Sequence, residues 1–229
     1  FRNVTGVQTC ALPICGLDLA STSDFAAFAL AFPLTEDWEP APDLQRPALW
    51  AYLWRLWMPA EGRSHFATKL REIAAPWVAA GWVDATEGDV IDGDRIEREV
   101  IEAASWFDVQ GIAFDPFNAA NMANRLNVEG IAAHQFPQRL SNFAEPTKLF
   151  EEELLAGHMR HDGNPALRWM ADNVVLQSNA AGHRMPSRKR SKNKIDGIVA
   201  SVMARGLAAA PPAAGGSGNY YEKHGVERI

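Results

Sequence analysis

The chain has 229 residues, 47% of them hydrophobic and 22% charged, with a formal net charge of −6. That length buries a sizeable core in a single soluble domain without disulfide or metal staples, and no apolar run approaches the ~18 residues of a membrane span. Two cysteines exclude a disulfide scaffold and fit a reducing cytoplasm; the negative charge excludes a histone-like mass binder of nucleic acid but leaves room for a local basic groove.

The first element in chain order is foreign. Val4 to Ile14 reads VTGVQTCALPI, which resembles, without a break, the conceptual translation of a common sequencing adapter. It has no apolar stretch of the length a signal peptide needs. Residues 1–14 are therefore read as non-native and set apart from the fold. Cys10 is assigned no chemistry, and native sequence is expected to continue upstream of Cys15. Without Arg2 the native part carries one more net negative charge.

Gly16 to Ala20 (GLDLA) reads as a short apolar strand interrupted by one aspartate. A turn over 21–24 leads to Phe25–Phe32 (FAAFALAF), apolar enough for a buried second strand. Residues 33–47 form a Pro- and acid-rich loop, and Ala48–Met58 (ALWAYLWRLWM) is a third strand completing a meander. His65–Ala80 has helical spacing that Pro76 should end or kink. Gly81-Trp82-Val83 restarts the chain. Asp92 offers an N-cap to a helix running to Phe107, with Ile96, Val100, Ile101 and Ala104 on one face.

Gly111–Phe114 is a fourth strand ending at Asp115-Pro116. Helix Ala119–Glu129 and a fifth strand at Ile131–Phe136 follow, spaced as a parallel crossover unit. Helices are expected at Pro146–Ala156 and Pro165–Asn173, and a hairpin joins Val174–Gln177 to His183–Pro186. Ile195–Leu207 is the last helix. From residue 209 the composition is that of a flexible tail. The fold class is α/β, a mixed sheet with helices on both faces.

Three aspartates break this apolar pattern: Asp18 inside the first strand, Asp115 at the end of the fourth, and Asp196 at the start of the last helix (KIDGIVASVMA). A carboxylate beside a core costs several kcal/mol unless it is paired or binds a metal. Each has a simpler reading on its own. Asp196 could cap its helix, Asp115 could shape the turn before Pro116, and Asp18 could accept from the 21–24 turn. Together, converging carboxylates repel and require a cation between them. Oxygen ligands without His or Cys suit Mg²⁺ or Mn²⁺.

Five stretches then carry a resemblance, in order, over nearly all of the chain from about Cys15 to Leu207. They are GLDLASTSDFAAFAL, GDVIDGDRIEREV, IAFDPFNAANMANRL, EPTKLFEEELLAGHMRHDGNPALRWMADNVV and KIDGIVASVMA. The chain resembles the nuclease domain of tailed-bacteriophage terminase large subunits. The resemblance implies an RNase H-like fold, residues 15–208 as the nuclease domain, and cutting of concematated viral DNA during packaging. It implies two metal ions, with the acidic ligands falling on Asp18, Asp115 and Asp196. The implied partners are double-stranded DNA, an N-terminal ATPase domain of the same chain, the portal and the small terminase subunit, with no membrane. The implied setting is the cytoplasm of an infected or lysogenic bacterial host. The family's ATPase motor should precede Gly16, yet no G-x-x-x-x-G-K-[ST] phosphate loop occurs in this sequence. The alternatives are another RNase H-like nuclease, such as a junction resolvase, or an inactive docking domain.

In the reading of this site Asp18 bridges two ions, with Asp115 and Asp196 each holding one. Asp24 and Asn118 are candidates standing behind them; helix-capping and turn-shaping are their simpler roles. The run from His183 to Lys194 carries Arg184, Arg188, Lys189, Arg190, Lys192 and Lys194 with no acid. It is expected to be a mobile cationic loop contacting the DNA backbone, with Lys194 the first choice for a phosphate contact. His158-x-x-His161 has helical ligand spacing but no third partner. Ser64-His65 and Ser141 lack a nucleophile elbow. Trp50, Trp54 and Trp57 are expected in the core or at an interface with the ATPase domain.

Overall fold

The computed structural model describes residues 12–20, 24–34, 48–61 and 65–210. The adapter-like residues 1–11, the 21–23 turn, most of the 33–47 loop, Ser64 and the 211–229 tail lie outside the described residues. The strands are β1 (Ile14–Asp18), β2 (Ala26–Pro33), β3 (Trp50–Pro59), β4 (Asp84–Thr86), β5 (Gly111–Phe114), β6 (Ala133–Gln135), β7 (Met159–His161), β8 (Leu176–Ser178) and β9 (Arg184–Pro186). The helices are α1 (His65–Ala79), α2 (Gly93–Trp106), α3 (Pro116–Val128), α4 (Leu140–Ala156), α5 (Pro165–Asn173) and α6 (Asp196–Ala209).

The main sheet runs β4-β3-β2-β1-β5-β6, with β7 added alongside β3. The β1–β2–β3 meander is antiparallel, and β5, β6, β4 and β7 join it in parallel. The expected meander, the β5–α3–β6 crossover and the β8–β9 hairpin are all present. The sheet begins earlier than expected, inside the adapter-like segment. Ile14 pairs with both Ala31 and Gly111, and the Pro13 carbonyl accepts from the Gln110 amide at 3.0 Å. Residue 15 is therefore not the edge of the fold.

The two faces of the sheet differ in side-chain size, and that difference positions the candidate site. Along β2, Phe28, Leu30 and Phe32 point to one side and pack with Cys15, Leu17, Ile112 and Phe114 beneath α2 and α3. Ala27, Ala29 and Ala31 point to the other, where α6 lies. A two-residue period thus builds one thick aromatic–aliphatic layer and one thin layer of methyl groups. Helix α6 answers with Gly197, Ala200, Ser201 and Ala204, all buried, and comes close to β1: a Cβ on Gly16 would sit 1.9 Å from the Ala200 carbonyl oxygen. The helix is fixed by Trp54, whose indole N–H donates to Ser201 Oγ at 2.8 Å. Helices α4 and α5 flank α6, so both sheet faces are covered, as the α/β expectation required.

Several boundaries differ from the sequence reading, for local reasons. Helix α1 continues through Pro76 to Ala79; with one turn left, the missing amide removes little. Helix α4 starts at Leu140, not at Pro146, because Phe143 is buried against Phe136 with ring centroids 5.4 Å apart. Helix α2 is capped by Asp92 as expected, but Ala103 joins Ile96 and Val100 in the buried stripe, and Ala104 is only half-buried. Strand β7 was not anticipated. It takes in His161, whose Nδ1 accepts from Gly163 and whose ring meets Trp54, while His158 lies just before it, directly after the Gly157 cap of α4, so the two are not spaced along one helix. Trp57 is fully buried and Trp50 lies under Arg205.

Candidate functional site

Asp18 is the last residue of β1 and Asp196 the first of α6, so the close β1–α6 packing brings the two together. Gly16 faces α6, and alternation puts Asp18 on the same side. Both aspartates are buried, at 3% and 0% exposure. Asp196 is not the helix cap: Ile195 holds that position, without a side-chain bond.

A single guanidinium lies between the two carboxylates. Arg188 pairs with Asp18 Oδ2 through one terminal nitrogen and with Asp196 Oδ1 through the other. Gln138 completes the array. Its Nε2 donates to Asp18 Oδ1 at 3.0 Å, and its Oε1 accepts from Arg188 Nε at 3.3 Å. Asp196 Oδ2 is buried with no hydrogen-bond partner among the described residues.

One positive charge cannot satisfy two buried acids. Burial raises the Asp18 carboxyl to about 7; Arg188 opposes that shift and Asp196 adds to it. Burial also raises Asp196, against Arg188, with the Asp24 charge adding to the rise. Arg188 moves the other way. Burial disfavours its charge, but Asp18 and Asp196 outweigh burial and hold it protonated.

Asp115 follows Phe114, which pairs with Leu17 in the parallel register, so Asp115 and Asp18 leave adjacent strands side by side. Its Oδ1 accepts from the Phe117 amide at 3.1 Å and caps α3, a role the sequence reading gave to Asp196 and not to Asp115. Among the described residues no three His, Cys, Asp or Glu side chains are already gathered as a metal-ligand cluster. The structure thus brings Asp18 and Asp196 together and leaves Asp115 as their neighbour, engaged in its own cap. Asp24 is close enough to act electrostatically on Asp196 and Arg188, and its Oδ1 is 2.5 Å from Lys194 Nζ. The Asn118 side chain lies outside the described residues.

The basic run divides by direction. Arg188 and Lys194 turn inward to the acids, and Arg184 pairs with Glu151 on α4 at 2.6 Å. Lys189, Arg190 and Lys192 are exposed and form no ion pair among the described residues. The main chain of this run, expected to be a mobile loop, is tied to the end of α5 and the segment after it. The Ser187 amide donates to Val175 O at 2.9 Å, Ser191 Oγ accepts from the Val175 amide at 3.0 Å, and the Lys192 amide donates to Asn173 O at 3.3 Å.

Sequence reasoning missed Gln138, which follows Pro137 beyond β6 in a stretch with no acidic or metal-ligand pattern. It placed Arg188 in the basic run without its role between the aspartates. Lack of an acid among residues 183–194 was the one available signal, since cations beside three misplaced acids can turn toward them.

The chain is 30% identical over 117 residues to Protein YmfN of Escherichia coli (strain K12), covering 50% of this chain and 26% of that protein. It is 25% identical over 195 residues to the terminase large subunit of Enterobacteria phage HK97, covering 84% of this chain and 36% of that one. The chain thus spans about a quarter to a third of the length of these relatives. Its fold matches the crystal structure of the HK97 bacteriophage large terminase with a TM-score of 0.73 at 23% identity, over 88% of this chain and 40% of that one. It also matches the large terminase nuclease from thermophilic phage G20c with bound cobalt, with a TM-score of 0.53 at 11% identity, over 86% and 82% of the two chains. These matches identify the mixed sheet and its helices as the RNase H-like fold. The profile described as "Terminase large subunit, endonuclease domain" covers residues 12–211, taking in the strand that begins at Ile14 and every residue of the Asp18–Arg188–Asp196 array, and the chain belongs to that family.

Proposed function

We propose that this domain hydrolyses phosphodiester bonds of duplex DNA, cutting concatemeric viral DNA into genome lengths during packaging, with two divalent ions, Mg²⁺ or Mn²⁺, held by Asp18, Asp115 and Asp196. The observation that carries the reading is the buried pair of carboxylates sharing one arginine, with one oxygen, Asp196 Oδ2, lacking a donor among the described residues. An acceptor buried without a partner is costly, and an all-oxygen donor set fits a hard cation. Asp115 joins as the third acid from the adjacent strand; a carboxylate has about four lone-pair sites, so its helix cap does not exhaust it. A nuclease of the same fold, that of phage G20c, holds cobalt.

When bound, such cations offset the charge on the scissile phosphate and lower the pKa of the attacking water. This chain's own residues do the rest. Asp18 and Asp196 fix the acidic centre on rigid elements, a central strand and a buried helix end. Gln138 orients the Asp18 carboxylate. Asp24 and Asn118 stand behind the ligands. Lys189, Arg190 and Lys192 face outward, where they can lie along the DNA backbone without reading its sequence. Arg184, Arg188 and Lys194 join them once their acidic partners are otherwise occupied. The partners in this reading are an ATPase domain of the same polypeptide, the portal and the small terminase subunit, in the cytoplasm of a bacterial host.

Incubation with supercoiled plasmid in Mg²⁺ or Mn²⁺ should give nicked and linear DNA, and chelation should stop it. Asp196→Asn removes a charge with little change of volume. It should keep the circular dichroism spectrum and lose more than about a hundredfold in cleavage rate. Wild-type cleavage by that variant would reject the site. A panel of duplex, four-way junction and RNA–DNA hybrid tests the substrate, and preference for the junction or the hybrid would replace the packaging role with that of a resolvase or an RNase H.

A further inference from the structure

We propose that Arg188 is a built-in stand-in for the metal, occupying the space between Asp18 and Asp196 until a divalent cation displaces it. The inference rests on the metal-binding reading of these two aspartates proposed above, and adds to it what the site does before metal arrives.

The geometry supports exchange over permanent structure. Arg188 bonds Asp18 Oδ2 and Asp196 Oδ1 together, the two acids that would hold the cation. The two acids are almost sealed, with side-chain exposures of 4% and 1%, whereas the arginine side chain is 40% exposed. It reaches in from the turn at residues 188–190, whose main chain is tied separately through Ser187 and Ser191 to Val175. The guanidinium can therefore leave toward solvent by side-chain rotation while the turn stays in place. It is also an incomplete occupant, because Asp196 Oδ2 stays without a donor among the described residues. A cation offers more than two directions of coordination and can engage oxygens that a planar fork misses.

Without a counter-ion, two buried carboxylates at the β1–α6 junction would force apart the elements that create the site. Arg188 prevents this and holds them at the right spacing. The cost is competition. The apparent dissociation constant of the cation rises by the inverse of the fraction of molecules with the carboxylates free. An arginine in place nine times in ten weakens binding about tenfold. The site then loads only when the cation concentration is high enough, and loading releases a guanidinium beside Lys189 and Arg190 on the exposed face.

The test titrates Mn²⁺ alone, read as loss of the free-ion electron paramagnetic resonance signal, into the full chain and its Arg188→Gln and Arg188→Lys variants. Circular dichroism checks each fold. Arg188→Gln should bind Mn²⁺ about tenfold more tightly than wild type. Arg188→Lys, which cannot span both carboxylates, should fall between them and serves if the glutamine variant does not fold. Asp196→Asn should abolish the tight binding in either background. In parallel, phenylglyoxal modification mapped by mass spectrometry should label Arg188 in wild type faster with Mn²⁺ than without. Equal or weaker Mn²⁺ binding by folded Arg188→Gln or Arg188→Lys, or Arg188 labelling that Mn²⁺ leaves unchanged or slows, overturns the stand-in and leaves the metal reading intact. If no protein binds Mn²⁺, both fall.

Discussion

Gly16→Ala perturbs the fold at the point on which the site depends. A Cβ there would lie 1.9 Å from Ala200 O, 2.9 Å from Ala200 C and 2.9 Å from Ala204 N, all backbone atoms of α6. An ordinary contact needs about 3.5 Å, so strand and helix must separate by roughly 1.5 Å. Neither yields easily. Gly16 is paired on both sides, with Ala29 and Ala113, and α6 is held from behind by α4 and α5. Overpacking of a tight core costs about 1–3 kcal/mol, occasionally more, and here no flexible side chain can absorb it. The expected loss is about 3 kcal/mol or more, a large part of the ~5–15 kcal/mol that holds a domain together. Urea denaturation followed by tryptophan fluorescence measures it. The second variant, Gly16→Ala with Ala200→Gly, should recover nothing, because the obstacle is a carbonyl and not a methyl group. A Gly16→Ala protein within about 0.5 kcal/mol of wild type, or rescue by Ala200→Gly, would refute the close β1–α6 approach. It would also remove the reason for Asp18 to meet Asp196.

Two further outcomes follow from the charges. Burial raises the Asp18 carboxyl to about 7, well above the usual carboxylate range, so between about pH 4 and 7 the folded protein holds a proton that the unfolded chain has released. Its contribution to stability is therefore full below about pH 4 and is lost as pH rises through 7. In chelator, wild type should lose stability relative to Asp18→Asn over that interval; a relative gain would show that the Arg188 ion pair outweighs burial. Lys189, Arg190 and Lys192 changed together to Ala should weaken duplex binding and reduce the slope of log affinity against log salt by roughly 2–3. An unchanged slope would remove this face from the DNA interface.

The sequence by itself carried the parts written in local pattern. The alternation in FAAFALAF, Asp92 before its helix, Gly111–Phe114 ending at Asp115, and the turn between β8 and β9 are set by neighbours a few residues away, and they stand where they were expected. The misplacement of Asp18 and Asp196 was legible too, because a carboxylate in an apolar run conflicts with its surroundings. What the chain could not show was which distant groups resolve that conflict. Arg188 lies 170 residues from Asp18, and Gln138 lies 120 from it; no periodicity links them. Strand β7 needed the edge of β3 to exist, and helix α4 needed Phe136 to bury Phe143. Ile14 took its place in the sheet from its partners Ala31 and Gly111, whatever the origin of the segment around it. The sequence determined where the acids are anomalous. Only packing, through a thin layer of alanine and glycine that lets α6 close on β1, decided that two of them share one arginine.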